Sequence, residues 1–402
     1  MRPCPACGIY GHRTLVVGIP LARPKGVPGN QETRVYTCDA CGMGFSDDGV
    51  TQSALDEYYA QMGKYGDLGM YAGGDEGGLD TEAPWELSRA QALADFIAAH
   101  APTGARVMDL GCSTGTLLVL LGERGFNNMS GIEPLSGAVR IARDGRGLDV
   151  SEGWITTLEG DGVYDVIVMS HVLEHVIGIH EALALVHRAL APGGLLVVEV
   201  PDSHRFDQYV HIPDQDFNTE HRNHFSPIIL SALIESARYE CVAMQEGIAG
   251  AGPAHPYPVV RGAWRRAERA HPIDVSPHDR GTHRSALASY ADVSEEMFAG
   301  IDARTRELVG ATDFGIWGAG QFTMKWLRRE AFPADQLTLL VDSAASRGGL
   351  RLLGHDVVAP SGVQDDEWPP VMLAGSAYAI AAISDAAARM GITSRIASPF
   401  ES

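Results

Sequence analysis

An apolar run through Val107 and Met108 leads into Asp109-Leu110-Gly111-Cys112-Ser113-Thr114-Gly115-Thr116. A helical stretch follows, and a second apolar run ends at Glu133 in Gly-Ile-Glu-Pro. Glycines at a strand's carboxyl end let the backbone approach a ligand, at the edge where open α/β sheets bind cofactors. The alternation continues on both sides, with a helix to residue 99, strands over 106–110, 129–133, 164–169 and 195–200, and a helix over 179–190. Strands that are apolar throughout and alternate with helices predict a parallel sheet covered on both faces. The fold class is α/β, with a doubly wound Rossmann-like core over residues 85–250.

The glycine turn departs from the dinucleotide fingerprint G-x-G-x-x-G. It has Gly111 and Gly115, with an acid two positions before the first glycine. An anion at the turn disfavours a pyrophosphate and suits a cofactor with a cationic or zwitterionic group, such as S-adenosylmethionine. A carboxylate at Glu133 is placed to accept both ribose hydroxyls. Cys112 within the turn and Ser170 at the end of the third strand complete the candidate cofactor residues.

Four of the six cysteines form two matched knuckles, Cys4-Pro-Ala-Cys7-Gly and Cys38-Asp-Ala-Cys41-Gly. Four thiolates at this spacing close a tetrahedral Zn²⁺ shell, and with no ligand position left open the ion is structural, not catalytic. Residues 1–46 read as a zinc-binding β unit. A helix and a glycine- and tyrosine-rich stretch occupy 47–84, with 63–78 as a candidate lid. Residues 251–284, rich in Pro, His and Arg, read as a connecting segment. A smaller Rossmann-like α/β domain is expected over 285–402, with a long helix at 285–309. There FGIWGAGQFT resembles a dinucleotide turn whose third glycine is replaced by Thr323, and a following strand ends at Asp342.

With 31 Lys+Arg against 51 Asp+Glu, the chain carries a net charge of −20 and would repel a phosphate backbone, so nucleic acid is excluded as a partner. The absence of an 18-residue apolar run or of a hydrophobic amino-terminal segment predicts no membrane association and a cytoplasmic protein.

Taken in order, VMDLGCSTGTLL, SGIEP, YDVIVMSHVLEHV and ALAPGGLLVVEVP resemble the S-adenosylmethionine-dependent methyltransferases with a Rossmann-like fold, over roughly residues 85–250. The resemblance implies Asp109, Gly111 and Gly115 around the methionine part, Glu133 on the ribose, and the turn from Ser151 to Trp154 near adenine. The order of cysteine unit, core and C-terminal domain is similar to the nucleotide-sugar C-methyltransferases of deoxysugar biosynthesis. In that family a segment ending in His-Glu-His-Phe-Ser carries the general base. FNTEHRNHFS (217–226) matches it with His224 at the base position, although Arg222 and Asn223 stand where the family has His-Glu.

The resemblance implies that His224, with Asn223 beside it, deprotonates the carbon next to a ketone. His175 in Val-Leu-Glu-His, or a hydroxyl such as that of Tyr59 or Tyr65, would hold the enolate oxygen. The expected partner is a small molecule, a nucleotide-linked keto sugar, and Gly318, Gly320 and Asp342 offer a platform for its nucleotide. Two alternatives stand: an O- or N-methyltransferase of another natural-product metabolite, and a zinc-ribbon interaction protein with an idle core.

Overall fold

The computed structural model describes residues 2–23, 29–62, 84–252, 255–344 and 347–400. The candidate lid at 63–78, with Tyr65, lies outside them.

Strands β1 (Arg13–Pro20), β2 (Glu32–Cys38) and β3 (Gly44–Ser46) pair antiparallel at the amino-terminal end. Helix α1 (Gln52–Met62) follows, and α2 (Pro84–His100) leads into the core. The core's parallel strands are β4 (Arg106–Leu110), β5 (Asn128–Glu133), β6 (Val150–Glu152), β7 (Tyr164–Ser170) and β8 (Leu190–Pro201). Alternate residues of these strands feed two apolar layers, because side chains of a strand point to opposite faces. Val107, Val166, Val168 and Val197 pack with Leu93 and Ile97 of α2 and with Leu117 and Leu121 of α3 (Thr116–Glu123). Met108, Ile167, Met169 and Val198 pack with Leu183 and Val186 of α5 (Ile179–Ala189) and with Ile229 and Leu233 of α6 (Pro227–Ser236). A further short helix, α4 (Ser136–Arg140), lies between β5 and β6.

Two expectations are corrected. The cysteine-bearing sheet does not close within residues 1–46: its fourth strand is β9 (Asn223–His224), paired antiparallel with β3. Nor is 251–284 a connection. β10 (Tyr239–Gly252) and β11 (His255–Arg266) form an antiparallel hairpin, and β11 pairs with β8, so the core sheet has seven strands in the order β10-β11-β8-β7-β4-β5-β6. Pro256 and Pro258 weaken the strand signal of this segment. They fall where β11 has only β10 as a ladder partner, before its pairing with β8 begins at Val259.

Helix α7 (Pro277–Val309) starts eight residues before the expected helix, with the Ser276 side chain accepting from the Asp279 amide as its cap. Its first turns touch the cysteine unit, where Arg280 donates to the Ala40 carbonyl, and its later residues Phe298, Ile301 and Leu308 enter the C-terminal core. That core surrounds β12 (Phe314–Trp317), α8 (Gln321–Trp326), β13 (Leu337–Val341), β14 (Arg351–Leu352), β15 (His355–Val358), β16 (Val371–Ala374), α9 (Ile380–Met390) and β17 (Arg395–Ala397). The sheet order is β14-β15-β13-β12-β16-β17, parallel except for the β14–β15 pair. Among the described residues no helix is long and apolar enough to cross a membrane.

Candidate active site

The carboxyl ends of the two parallel sheets open onto one cavity of about 1430 Å³. One wall carries Gly111, Glu133 and Trp154. The opposite wall carries Gly318, Asp342 and Arg347. Between them stand Tyr59, His171, His175, His221, Asp216 and Tyr257. A single small ligand commonly occupies 300–1,000 Å³, so this volume has room for two.

At the end of the cavity that follows β4, Gly111 has φ +75°, and a Cβ there would stand 2.8 Å from Val172 Cγ2. Ser113, though not glycine, also has a left-handed backbone (φ +51°), and its N–H donates to Glu133 Oε2 at 2.9 Å. Glu133 Oε1 accepts from the Leu135 amide at 3.0 Å. Burial raises the Glu133 carboxyl against these two bonds. Asp109 lies deeper, lining a small side pocket, and is pushed up to about 7 by burial and then by the Glu133 charge. Cys112 shares that pocket and is buried. Ser170 lines both spaces; its Oγ accepts from Arg89 at 2.8 Å and donates to Glu199 at 3.2 Å. Gly115 (φ +82°) lines neither space, and a Cβ there would collide with Leu148, so it serves the turn itself.

The histidines redistribute the expected roles. His224 is buried in β9, its Nε2 3.1 Å from Ser46 Oγ and its ring edge-on to Phe217, and it does not line the cavity. Burial, aided by nearby His283, Arg222 and Arg2, holds its imidazole down near 3. Asn223 is equally buried and donates to the carbonyls of Leu173 and Val176, clamping the turn that carries His175. Neither side chain reaches a ligand in the cavity, so the assignment of His224 as base with Asn223 beside it does not fit. Pairing with β3 sends the two neighbouring side chains to opposite faces, Asn223 against the carbonyls of the 173–176 turn and His224 against Ser46 and Phe217.

The cavity instead receives Glu220 and His221 from the same segment. The His221 ring lies edge-on to His175 with centroids 5.0 Å apart, and its Nδ1 is 3.6 Å from Asp216 Oδ1. Asp216 is buried, accepts from the Tyr257 hydroxyl, and accepts from Tyr290 at 3.2 Å. His175 Nδ1 lies 2.7 Å from the Tyr59 hydroxyl and 3.2 Å from the Glu220 carbonyl. Behind them Glu174 is fully buried and its carboxyl is pushed up to about 8, chiefly by burial. In the sequence, a second histidine three places before His224 was the available sign of His221. Glu174 and Asp216 had no signal beyond their residue type.

The segment is keyed to the cysteine unit by buried charge. Asp48 accepts from Arg222 at 2.5 Å and from Arg23 at 3.1 Å, and Arg2 donates to the Arg222 carbonyl and to Asn223 Oδ1. The four cysteine sulfurs lie within 4.8 Å of one another, with Cys4–Cys41 at 3.5 Å and Cys7–Cys38 at 3.6 Å. A tetrahedral Zn–thiolate shell places its sulfurs about 3.8 Å apart, so the donor set and spacing fit that ion.

At the far wall, Asp342 accepts from the Ala319 amide at 2.7 Å and from the Ala344 amide at 2.9 Å, and Arg347 donates to the Ala319 carbonyl at 2.8 Å. Thr323 donates to the Gly318 carbonyl at 2.6 Å. It bolts the turn where a third fingerprint glycine would stand.

Residues 85–243 match the family model described as a methyltransferase domain. The ubiquinone biosynthesis O-methyltransferase of Rickettsia prowazekii is 28% identical over 98 residues, 23% of this chain and 38% of that protein. The chain therefore spans well under half the length of this curated relative. Among solved structures, a methyltransferase of Methanosarcina mazei matches 43% of this chain and 98% of its own at 19% identity and a TM-score of 0.37. The 1,6-didemethyltoxoflavin-N1-methyltransferase of Burkholderia thailandensis matches 59% of this chain and 96% of its own at 15% identity and a TM-score of 0.39.

Proposed function

We propose that this chain, an S-adenosylmethionine-dependent methyltransferase by the domain that its residues 85–243 form, methylates a small molecule held between that domain and the C-terminal one. The observation that carries the reading is the single cavity joining the Gly111 turn, the imidazole group and the Gly318 turn. Its size accommodates a cofactor and an acceptor side by side.

When bound, S-adenosylmethionine supplies a methyl group on a sulfonium. Gly111 would admit it closely, Glu133 would accept from its ribose and Trp154 would line the adenine end, with Asp109 supporting the turn from the side pocket. The acceptor would lie with its reacting atom toward that methyl, and its proton would leave at the end lined by Tyr59, His175 and His221. These residues hold the acceptor in line and exclude water. An acceptor carbon beside a ketone, as in a nucleotide-linked keto sugar of deoxysugar biosynthesis, suits this arrangement, because the same groups face its carbonyl oxygen and the Gly318–Arg347 wall faces a phosphate. Methylation on O or N of another metabolite is the second reading, favoured by the absence of a glutamate at position 223. A structural Zn²⁺ in the Cys4, Cys7, Cys38 and Cys41 shell belongs to the same proposal. Elemental analysis should find one zinc per chain, and none in Cys38→Ser.

The test is a melting curve with S-adenosylhomocysteine, followed by nucleoside diphosphates added to the saturated protein. A rise with the first, lost in Glu133→Ala, supports the cofactor site, and a further rise with one pyrimidine diphosphate supports the sugar reading. No rise with S-adenosylhomocysteine sinks the proposal, and no further rise transfers it to the O- or N-methyl reading. Solvent deuterium appearing beside a ketone in the acceptor separates carbon methylation from both.

A further inference from the structure

The turn at 172–176 and the segment at 216–224 converge because the main-chain carbonyl of Glu174 accepts from the amides of Arg222 at 2.7 Å and Asn223 at 3.0 Å. That contact brings three ligating side chains together: Glu174, His175 and His221 each present one ligand atom, and the three lie within 4.8 Å of one another. Glu174 is 1% exposed, and among the described residues neither of its carboxylate oxygens accepts a hydrogen bond. His171 Nδ1 at 3.2 Å and His175 Nε2 at 3.7 Å from Oε1 are ring nitrogens gathered around it. A buried carboxylate whose neighbours are imidazole nitrogens and which accepts no hydrogen bond is costly, and a coordinated cation removes that cost.

The surroundings match the way proteins support metal-bound imidazoles, whose second nitrogen faces a carboxylate or a carbonyl. Asp216 Oδ1 lies beside His221 Nδ1, and the Glu220 carbonyl lies beside His175 Nδ1. Asp216 is itself fixed by Tyr257 and Tyr290. Two histidines and one carboxylate hold a first-row divalent cation while leaving coordination positions open. His175 and His221 line the cavity, and Glu174 closes the group from behind.

We propose that Glu174, His175 and His221 bind a divalent transition-metal cation whose open positions face the cavity and take an oxygen of the methyl acceptor. The inference rests on the reading that the acceptor sits in this cavity. Coordination lowers the pKa of a bound hydroxyl, or of the carbon beside a bound carbonyl, as it does for bound water. The acceptor's proton, acidified by the cation, then passes to a solvent water in the cavity, with neither imidazole required to carry it. This ion is separate from the one in the cysteine shell, since its ligands are nitrogen and oxygen.

The experiment uses the full chain with its cysteine shell filled by Zn²⁺ and excess ion removed. Mn²⁺ is titrated in while the free-ion electron paramagnetic resonance signal is followed. One Mn²⁺ per chain is expected, with affinity falling by roughly tenfold or more in His221→Ala, Glu174→Gln and Asp216→Asn. No bound Mn²⁺, or binding unchanged in His221→Ala and Glu174→Gln, overturns the site. His221→Ala alters a cavity-lining residue and guards against a Glu174 variant that fails to fold. A melting shift with S-adenosylhomocysteine is recorded on the same samples. If it is present while Mn²⁺ binding is absent, only the metal proposal falls; if it is itself absent, the methyltransferase reading falls.

Discussion

His221 and His224 stand three positions apart in one segment, yet one lines the cavity and the other is enclosed by Ser46, Phe217 and β3. The two should separate cleanly on mutation. His221→Ala is expected to leave the melting temperature nearly unchanged and to lower methyl transfer at least a hundredfold. His224→Ala leaves a buried gap and removes one hydrogen-bond partner of Ser46, costs about 2–3 kcal/mol of stability, and reduces turnover only as far as folding is lost. A calorimetric scan and a turnover assay on both variants check this. The pH dependence follows from the same burial. His224 titrates near 3 when folded and His283 near 4, both below the unfolded value near 6.5. The unfolded chain therefore binds more protons between those limits, so these two residues lose their contribution as pH falls from about 6.5 towards 3. Glu174, near 8, and Asp109, near 7, both above their unfolded values near 4, act oppositely and favour the folded state as pH falls from about 8 to about 4. The stability difference between wild type and His224→Leu isolates the first term: it should shrink, or reverse sign, from pH 7 to pH 4.5, and a constant difference would contradict the burial argument.

At the scale of elements, the turn after β4 does what its glycines require. Gly111→Ala would place a Cβ 2.8 Å from Val172 in a left-handed backbone that costs an L residue about 1–2 kcal/mol. Its affinity for S-adenosylhomocysteine, measured by calorimetric titration, should drop roughly tenfold, because one such factor corresponds to about 1.4 kcal/mol. The β3–β9 pairing is the other decisive element. Hydrogen bonds between Gly44–Phe45 and Asn223–His224 join strands almost 180 positions apart, and the Asp48 carboxylate pairs with both Arg23 and Arg222 beneath them. The cysteine knuckles were legible from spacing alone because their ligands are local. The strand that completes their sheet was not, because a two-residue strand has no periodicity to read.

Across the whole molecule, α7 ties the cysteine unit to the C-terminal core, and the carboxyl ends of both parallel sheets meet over one space. If the far wall binds the acceptor's anionic part, Arg347→Ala should raise KM for the acceptor about tenfold with S-adenosylhomocysteine affinity unchanged; equal KM values would argue for a wall that only packs.

The local pattern by itself determined the parallel core and its glycine turn, the acid at Glu133 and the four-cysteine set, because each depends on residues close in sequence or on the period of apolar side chains. Only the tertiary structure decided that β10 and β11 extend the core sheet, that the segment at 220–224 offers His221 and buries His224, and that Glu174, His175 and Asp216 gather around it. Those outcomes depend on long-range pairing and on which side chains lose water, and burial of that kind is a property of the packed chain, not of any window along it.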